Sequence, residues 1–310
     1  MLWYTLKRLL QGVITVWFIA TATFIGMHNV PGDPLSGERA TNAAIRANLE
    51  ARYGLDRPVT EQYFIYMRNM LRGDFGISYT QQNREVNDII REHFPVSATL
   101  GVLAVLFAAL GGILFGALTA LFRNRLPDYI IMFLVILGIS VPSFVFAALG
   151  QLSLVNINSV LGFSVLPVAG WGSVSHMLLP ALVLGLGTMA YMTRLMRSSM
   201  LEVMSSDYIR TAKAKGLSPT RIFSRHQLRN AALPVITVLG PAIAAITTGG
   251  FVVELVFAIP GLGRYFVQAV QQLDYTVIMG TTVFYGAFLV FMVILVDLVY
   301  GWIDPRVRLQ

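Results

Sequence analysis

Charged side chains are missing from long stretches of this chain. Residues 93–122 carry none, and neither do residues 129–193, 230–253 or 275–296. Residues 9–37 carry one, Asp33. A helix needs about 20 apolar residues to cross the hydrocarbon core of a bilayer, so each run is long enough to span. Only 13% of the 310 residues are charged, against roughly 25% in a soluble globular domain. The apolar residues are also clustered rather than periodic. These features imply an all-α integral membrane protein and exclude a soluble enzyme.

Six spans are expected, near residues 9–30, 97–122, 129–155, 175–197, 233–256 and 276–302. The run 129–193 must hold two of them, because one helix of that length overshoots any bilayer. The break is expected from Asn156-Ile157-Asn158 to Gly170-Trp171-Gly172, where turn formers and an interfacial Trp coincide. Lys7 and Arg8 precede an apolar stretch from Leu9 to Val30. That stretch is longer than a signal-peptide core of roughly 7–15 residues, so it reads as a retained first span.

The chain then divides into four parts. Residues 1–30 hold the N-terminus and first span, and residues 31–96 form a helical segment outside the membrane. Residues 97–302 form a five-helix core with a loop at 198–232, and residues 303–310 are a tail. Orientation follows from Lys and Arg, which favour the cytoplasmic side of short loops. Lys7 and Arg8, Arg123 and Arg125, the eight basic residues from Arg194 to Arg229, and Arg306 and Arg308 all fall on one side. The short loops opposite hold only Arg264. The segment 31–96 also lies opposite, where nine acids offset its eight Arg. Both termini are therefore expected in the cytoplasm. Trp3 and Tyr4, with Tyr300 and Trp302, suit the interfacial belt there.

Within 31–96, Pro31-Gly32-Asp33-Pro34 makes a sharp exit from the first span. Helices are expected over Thr41–Tyr53 with Gly54 as its cap, over Thr60–Leu71 stopping before Gly73, and over Asn83–Phe94 ended by Pro95. The segment reads equally as a docking surface and as a structural cap. Gly112 and Gly116, four apart, can let two helices approach closely. Two acids lie near span ends, Glu254 and Asp297. Each reads either as a pore contact or as an interfacial acid paired with Arg264 or Arg306.

Other chemistries find little support. The chain has no cysteine and only four scattered histidines, so a disulfide framework and a His-rich metal site are not expected. No His-Glu-x-x-His motif occurs. The lysines are Lys7, Lys213 and Lys215, and none follows a glycine, so the phosphate-cradling Gly-Lys-Ser/Thr of an ATPase is absent. An ion-coupled carrier is a second possibility, but such carriers show repeated halves and broken helices at mid-membrane. No repeated half is evident here.

The stretch from Asp207 to Pro234 is the most informative. Ile209–Lys215 reads as a short helix stopped by Gly216, and Ser218-Pro219 starts a second helix that leads into the fifth span. Such an elbow is either a rigid projection fitting a partner's groove or a basic anchor on anionic lipid. Thr211-Ala212-Lys213-Ala214-Lys215-Gly216, followed by Leu233-Pro234, resembles the cytoplasmic Glu-Ala-Ala signature of binding-protein-dependent ABC importer permeases. Aligned on Gly216, the Glu and first Ala of that signature fall on Arg210 and Thr211, and its second Ala is matched by Ala212. The Ile position falls on Ala231, and the interval from Gly216 to Pro234 is about five residues longer than the general pattern.

The longer interval is similar to the dipeptide, oligopeptide and nickel branch. So are Pro31-Gly32-Asp33-Pro34, Gly73-Asp74-Phe75-Gly76, Val141-Pro142-Ser143-Phe144 and Pro260-Gly261-Leu262-Gly263. Thr60-Glu61-Gln62-Tyr63-Phe64 and Phe94-Pro95-Val96-Ser97 look most like the B subunit of oligopeptide permeases. The resemblance implies the type I permease architecture and a multi-pass subunit of a bacterial cytoplasmic membrane. It implies a second homologous permease, two ATPases that bind ATP and Mg²⁺, an external peptide-binding protein and surrounding lipid as partners. No nucleic acid and no cofactor in this chain are implied. Arg210, Thr211, Ala212, Lys213, Ala214, Lys215 and Gly216 would couple to an ATPase. Glutathione, nickel or another small solute are alternative cargoes for this type.

Overall fold

The structure is a computed structural model. It describes residues 2–31, 50–51, 54–81 and 83–303, excluding the side chains of residues 2–4, 249 and 297–303. The expected helix 41–53, the roles of Asp297, and the interfacial aromatics Trp3, Tyr4, Tyr300 and Trp302 lie outside the described side chains. Among the described residues the regular structure is helical, with one isolated β-bridge between Ile77 and Glu85.

In chain order the helices are α1 (Leu2–Asn29), α2 (Val59–Leu71), α3 (Val86–Leu121), α4 (Leu126–Ser140), α5 (Ser143–Leu161) and α6 (Val174–Ser205). Next come α7 (Asp207–Ala214) and α8 (Pro219–Ala231). The last four are α9 (Leu233–Gly249), α10 (Phe251–Val256), α11 (Leu262–Gln272) and α12 (Tyr275–Ile303). Five of these, α1, α3, α5, α6 and α12, are long and apolar enough to cross a membrane. The bent pair α8 and α9, which meet at 43°, passes the same test of length and hydropathy only when the two are taken together.

The chain divides into two compact units. The first comprises residues 1–97 and 260–294. There α2 lays Tyr63, Tyr66, Met67 and Met70 against Val16 and Ala20 of α1, with Val283 of α12 completing the cluster. The Thr21 and Tyr63 hydroxyls bond at 2.9 Å. Phe94 packs edge-on against Phe284 and Phe288, with ring centroids 4.7 and 5.0 Å away. The expected stop at Gly73 is present after α2 as a left-handed residue, φ +75°, and Gly54 is also left-handed, φ +69°.

Asp274 is the polar centre of this unit and is 1% exposed. It caps α12 by accepting the Val277 N–H at 3.2 Å. Its carboxylate also accepts bonds from the Ser78 hydroxyl at 2.5 Å and the Thr80 hydroxyl at 2.8 Å. The N–H groups of Tyr79 and Thr80 add bonds at 3.2 and 3.1 Å. One buried carboxylate thereby fixes both a helix start and the 78–80 loop.

The second unit comprises residues 98–259 and 295–310. Helix α6 is its hub, with α4, α5, α9 and α10 packed around it. The close-approach reading of the paired glycines holds. A Cβ on Gly112 would lie 2.5 Å from Met192 Cβ, and one on Gly116 would lie 2.5 Å from Met196 Cβ and 2.7 Å from the Thr193 carbonyl oxygen. Glu254, on α10, is 2% exposed.

Two expectations are corrected. Pro95 does not end a helix, because α3 runs unbroken from Val86 to Leu121 with Pro95 inside it. The chain does not break at Asn156-Ile157-Asn158 either. The break before α6 begins at Gly162, whose φ of +73° ends α5, and runs to Ser173, so Gly170-Trp171-Gly172 lies in it as expected; a separate interruption at Val141-Pro142 divides α4 from α5. Asn158 lies within α5 and stitches the loop that follows. Its side chain accepts the Val165 N–H at 2.8 Å and donates to the Leu166 carbonyl at 3.2 Å.

Candidate functional site

The elbow from Ser206 to Ala232 holds residues Arg210 to Gly216 of the signature, whose Leu233-Pro234 follow at the start of α9. Its first arm, α7, is eight residues long and would be marginal alone in water. Three features hold it. Ile209 and Ala212 face inward and form a small apolar cluster with Ile222 of α8, with Val203 and Leu217 packed against it. The Asn230 amide donates to the Tyr208 hydroxyl at 3.1 Å, tying the end of α8 back to the start of α7. The third feature is the turn at Gly216.

At that turn the Gly216 N–H bonds the Lys213 carbonyl at 2.9 Å, and the Leu217 N–H bonds the Ala212 carbonyl at 3.3 Å. This crossed pair is the Schellman cap, which satisfies carbonyls left over at a helix C-terminus. It requires a left-handed residue at its corner, and Gly216 has φ +74°. A Cβ there would meet nothing within 4 Å. Glycine is therefore needed for its backbone conformation and not for space. The Ala212–Leu217 packing supplies the apolar contact that accompanies such caps.

The remaining signature residues point outward. Arg210, Thr211, Lys213, Ala214 and Lys215 are exposed, while Ala212 alone is buried. The Thr211 hydroxyl bonds back to the Asp207 carbonyl at 3.0 Å. Arg210 sits 3.4 Å from Asp207, with both side chains largely in solvent, and contributes little to stability there. The elbow therefore presents a rigid cationic ridge on a braced apolar base.

The second arm, α8, is unusual. Residues Ile222–Leu228 form a π-helical segment with a regular turn on either side. Such wide turns are rare and concentrate at functional sites. The arm enters α9 at the 43° bend, with Pro234 at the start of α9. Helix α7 is therefore joined to α9 through a short, braced corner. Nothing in the amino-acid pattern signals the π segment.

A second polar assembly lies at the start of α4. Asp128 is 3% exposed. It receives both Nε and Nη2 of Arg197, at 3.1 and 2.9 Å, and the Asn124 N–H at 3.0 Å. This two-point bond clamps α4 to α6 and holds Asn124 at φ 62°. It was not among the expected site residues. The only signal for it is an acid directly after Pro127 at the edge of an uncharged run.

The comparisons with known proteins agree with this architecture. Residues 112–309 match the family described as binding-protein-dependent transport system inner membrane component. Residues 1–101 match the N-terminal family of the same membrane components. The dipeptide transport system permease protein DppB of Bacillus subtilis is 49% identical over 307 residues, covering 99% of this chain and 98% of its own. The oligopeptide transport system permease protein OppB of Haemophilus influenzae is 43% identical over 311 residues, covering 99% of this chain and all of its own. A solved structure of the inward-facing MetNI methionine ABC transporter superimposes with a TM-score of 0.51 at 19% identity, over 71% of this chain and 95% of that one. The chain is thus a membrane-spanning permease of the ABC importer class. It belongs to the family of binding-protein-dependent transport system inner membrane components.

Proposed function

We propose that this chain is one of two permease subunits of an importer that carries short peptides into the cytoplasm, powered by two separate ATPases. The observation that carries the reading is similarity to a dipeptide permease and an oligopeptide permease over essentially the full chain. In this reading an external binding protein delivers the peptide. ATP and Mg²⁺ bind in the ATPases, and their closure switches the pore between inward- and outward-facing states. Both termini and the elbow lie on the cytoplasmic side, supported by the concentration of Lys and Arg there.

Arg210, Thr211, Ala212, Lys213, Ala214, Lys215 and Gly216 form the coupling elbow. The exposed residues meet the ATPase, Ala212 anchors the helix to its base, and Gly216 sets the corner. The braced geometry of α7 supports this role, since a projection that transmits displacement must not bend under load.

The test is a tagged pull-down from membranes in mild detergent, followed by peptide uptake in reconstituted vesicles. A second permease, ATPases and ATP-dependent uptake are expected. Recovery of the chain alone, folded and stable, would overturn the reading in favour of an ion-coupled carrier.

A further inference from the structure

The break between α4 and α5 carries an inference about where the peptide is held. Helices α4 and α5 run antiparallel to α6 along most of its length. Asp128 meets Arg197 near one end. A Cβ on Gly138 would lie 3.4 Å from Ala190 Cβ and 3.6 Å from the Leu186 carbonyl oxygen, and one on Gly150 would lie 3.3 Å from Leu179 at the far end. Arg197 to Leu179 is eighteen residues of α6, or about 27 Å at 1.5 Å per residue. That is close to the thickness of the hydrocarbon core. The break faces residues 186–190, close to the middle of this length.

Backbone polar groups at that depth cannot turn to water. Pro142 has no N–H, so the Gly138 carbonyl has no donor four residues on. Val141 is extended, φ −94° and ψ 127°, which ends α4. Ser143 and Phe144 open α5, the positions whose N–H groups have no carbonyl one turn back. Each unsatisfied group costs several kcal/mol in lipid, and irregular backbone is tolerated there only where it is buried in protein or lines a cavity. Here it lines one. A cavity of about 320 Å³ lies at the break, walled by Gly138, Pro142 and Ser143 on one side and by Leu186, Gly187 and Thr188 of α6 on the other. A Cβ on Gly187 would stand 3.6 Å from the Gly138 carbonyl oxygen. Its absence leaves that oxygen open to the cavity.

We infer that this cavity is a mid-membrane subsite that binds the main chain of the transported peptide. A peptide main chain alternates N–H donors and C=O acceptors. The break offers the complement, with the Gly138 carbonyl, the first N–H groups of α5, and the Ser143 and Thr188 hydroxyls. No charged side chain lines it. It therefore recognises what all peptides share and is indifferent to their side chains. This deepens the peptide-import reading and rests on it.

The chain has no native cysteine, which makes the test direct. The whole transporter carrying Thr188→Cys is reconstituted, and ATP-driven uptake is run with two tripeptides. Both bear the same bromoacetyl group on a lysine side chain, but one is otherwise alanine and the other phenylalanine. The control is Phe133→Cys on α4, at a position 61% exposed. Mass spectrometry of this chain should show at least a fivefold higher adduct yield at 188 than at 133. The yield should be alike for both peptides and suppressed by excess unmodified peptide. If Thr188→Cys does not transport, Ser143→Cys on the opposite wall gives the same readout. Uptake without an adduct at either position overturns the subsite and leaves the import reading standing, as does labelling equal to the control, the result for a groove filled by lipid or a neighbouring helix. A yield that depends strongly on the side chain overturns main-chain recognition. No peptide uptake by the unsubstituted transporter overturns the subsite and the reading together.

Discussion

Replacing Gly216 separates the shape of the elbow from its chemistry. The residue is exposed, touches nothing a side chain would displace, and holds φ +74°. A left-handed conformation costs an L-residue roughly 1–2 kcal/mol. Asn tolerates it better, because its short polar side chain bonds locally. Val is worse than most, since its branched Cβ crowds the backbone. The opposing stabilisation is modest. Two cap hydrogen bonds contribute about 1 kcal/mol each, and the cluster behind α7 has three buried residues. A strain of 1–2 kcal/mol therefore changes the population of the intact corner by about five- to thirtyfold. The predicted order for peptide-stimulated ATPase activity of the assembled transporter is Gly > Asn > Ala > Val, with Val at or near the basal rate. Assembly and the melting temperature of the membrane bundle should stay within about 2 °C of the parent, because α7 lies outside its core. Coupling by Gly216→Val equal to the parent would falsify the hypothesis that this corner transmits the stroke. Loss of assembly along with coupling would refute the claim that the effect is local.

Three further outcomes follow from the packing. Asp128→Ala should destabilise the chain by about 2–3 kcal/mol; Arg197→Met should cost at least as much, because it strands the more deeply buried carboxylate, and heating in detergent followed by size-exclusion chromatography measures both. Asp274→Ala should free the 78–80 loop, and hydrogen exchange at Tyr79, Thr80 and Val277 should rise at least tenfold while α4–α6 are unchanged; an unchanged pattern would contradict its role as an anchor. Gly116→Ala gains about 1 kcal/mol in helix propensity but drives a methyl to 2.7 Å from a backbone oxygen that no rotamer can move, so a net loss of about 1–2 kcal/mol is expected; a stabilised variant would disprove the close contact.

Much of this was legible in the sequence because lipid imposes a simple rule. Uncharged runs located the spans, and Gly216 marked the corner of the elbow from the chain alone. The two prolines show where such reading fails. Pro95 and Pro142 both sit in apolar surroundings, and each removes one backbone donor. Val141, before Pro142, is β-branched and takes the extended form that a residue before proline prefers. Phe94, before Pro95, stays helical because its ring is held between Phe284 and Phe288. Those partners lie some 190 residues away, so no local pattern could distinguish the two cases. The Asp128–Arg197 clamp was missed for the same reason. Its partners are far apart in sequence, and each alone resembles an ordinary interfacial charge.

That clamp also bears on how the chain is made. Asp128 leaves the ribosome 69 residues before Arg197. At roughly 5–20 residues per second, the carboxylate waits about 3–14 s for its partner. Helix α4 has only 15 residues, about 22 Å of rise, and its acidic end cannot settle below the lipid surface unpaired. Its final seating must therefore follow the arrival of α6, so the second unit closes late in synthesis and around its hub.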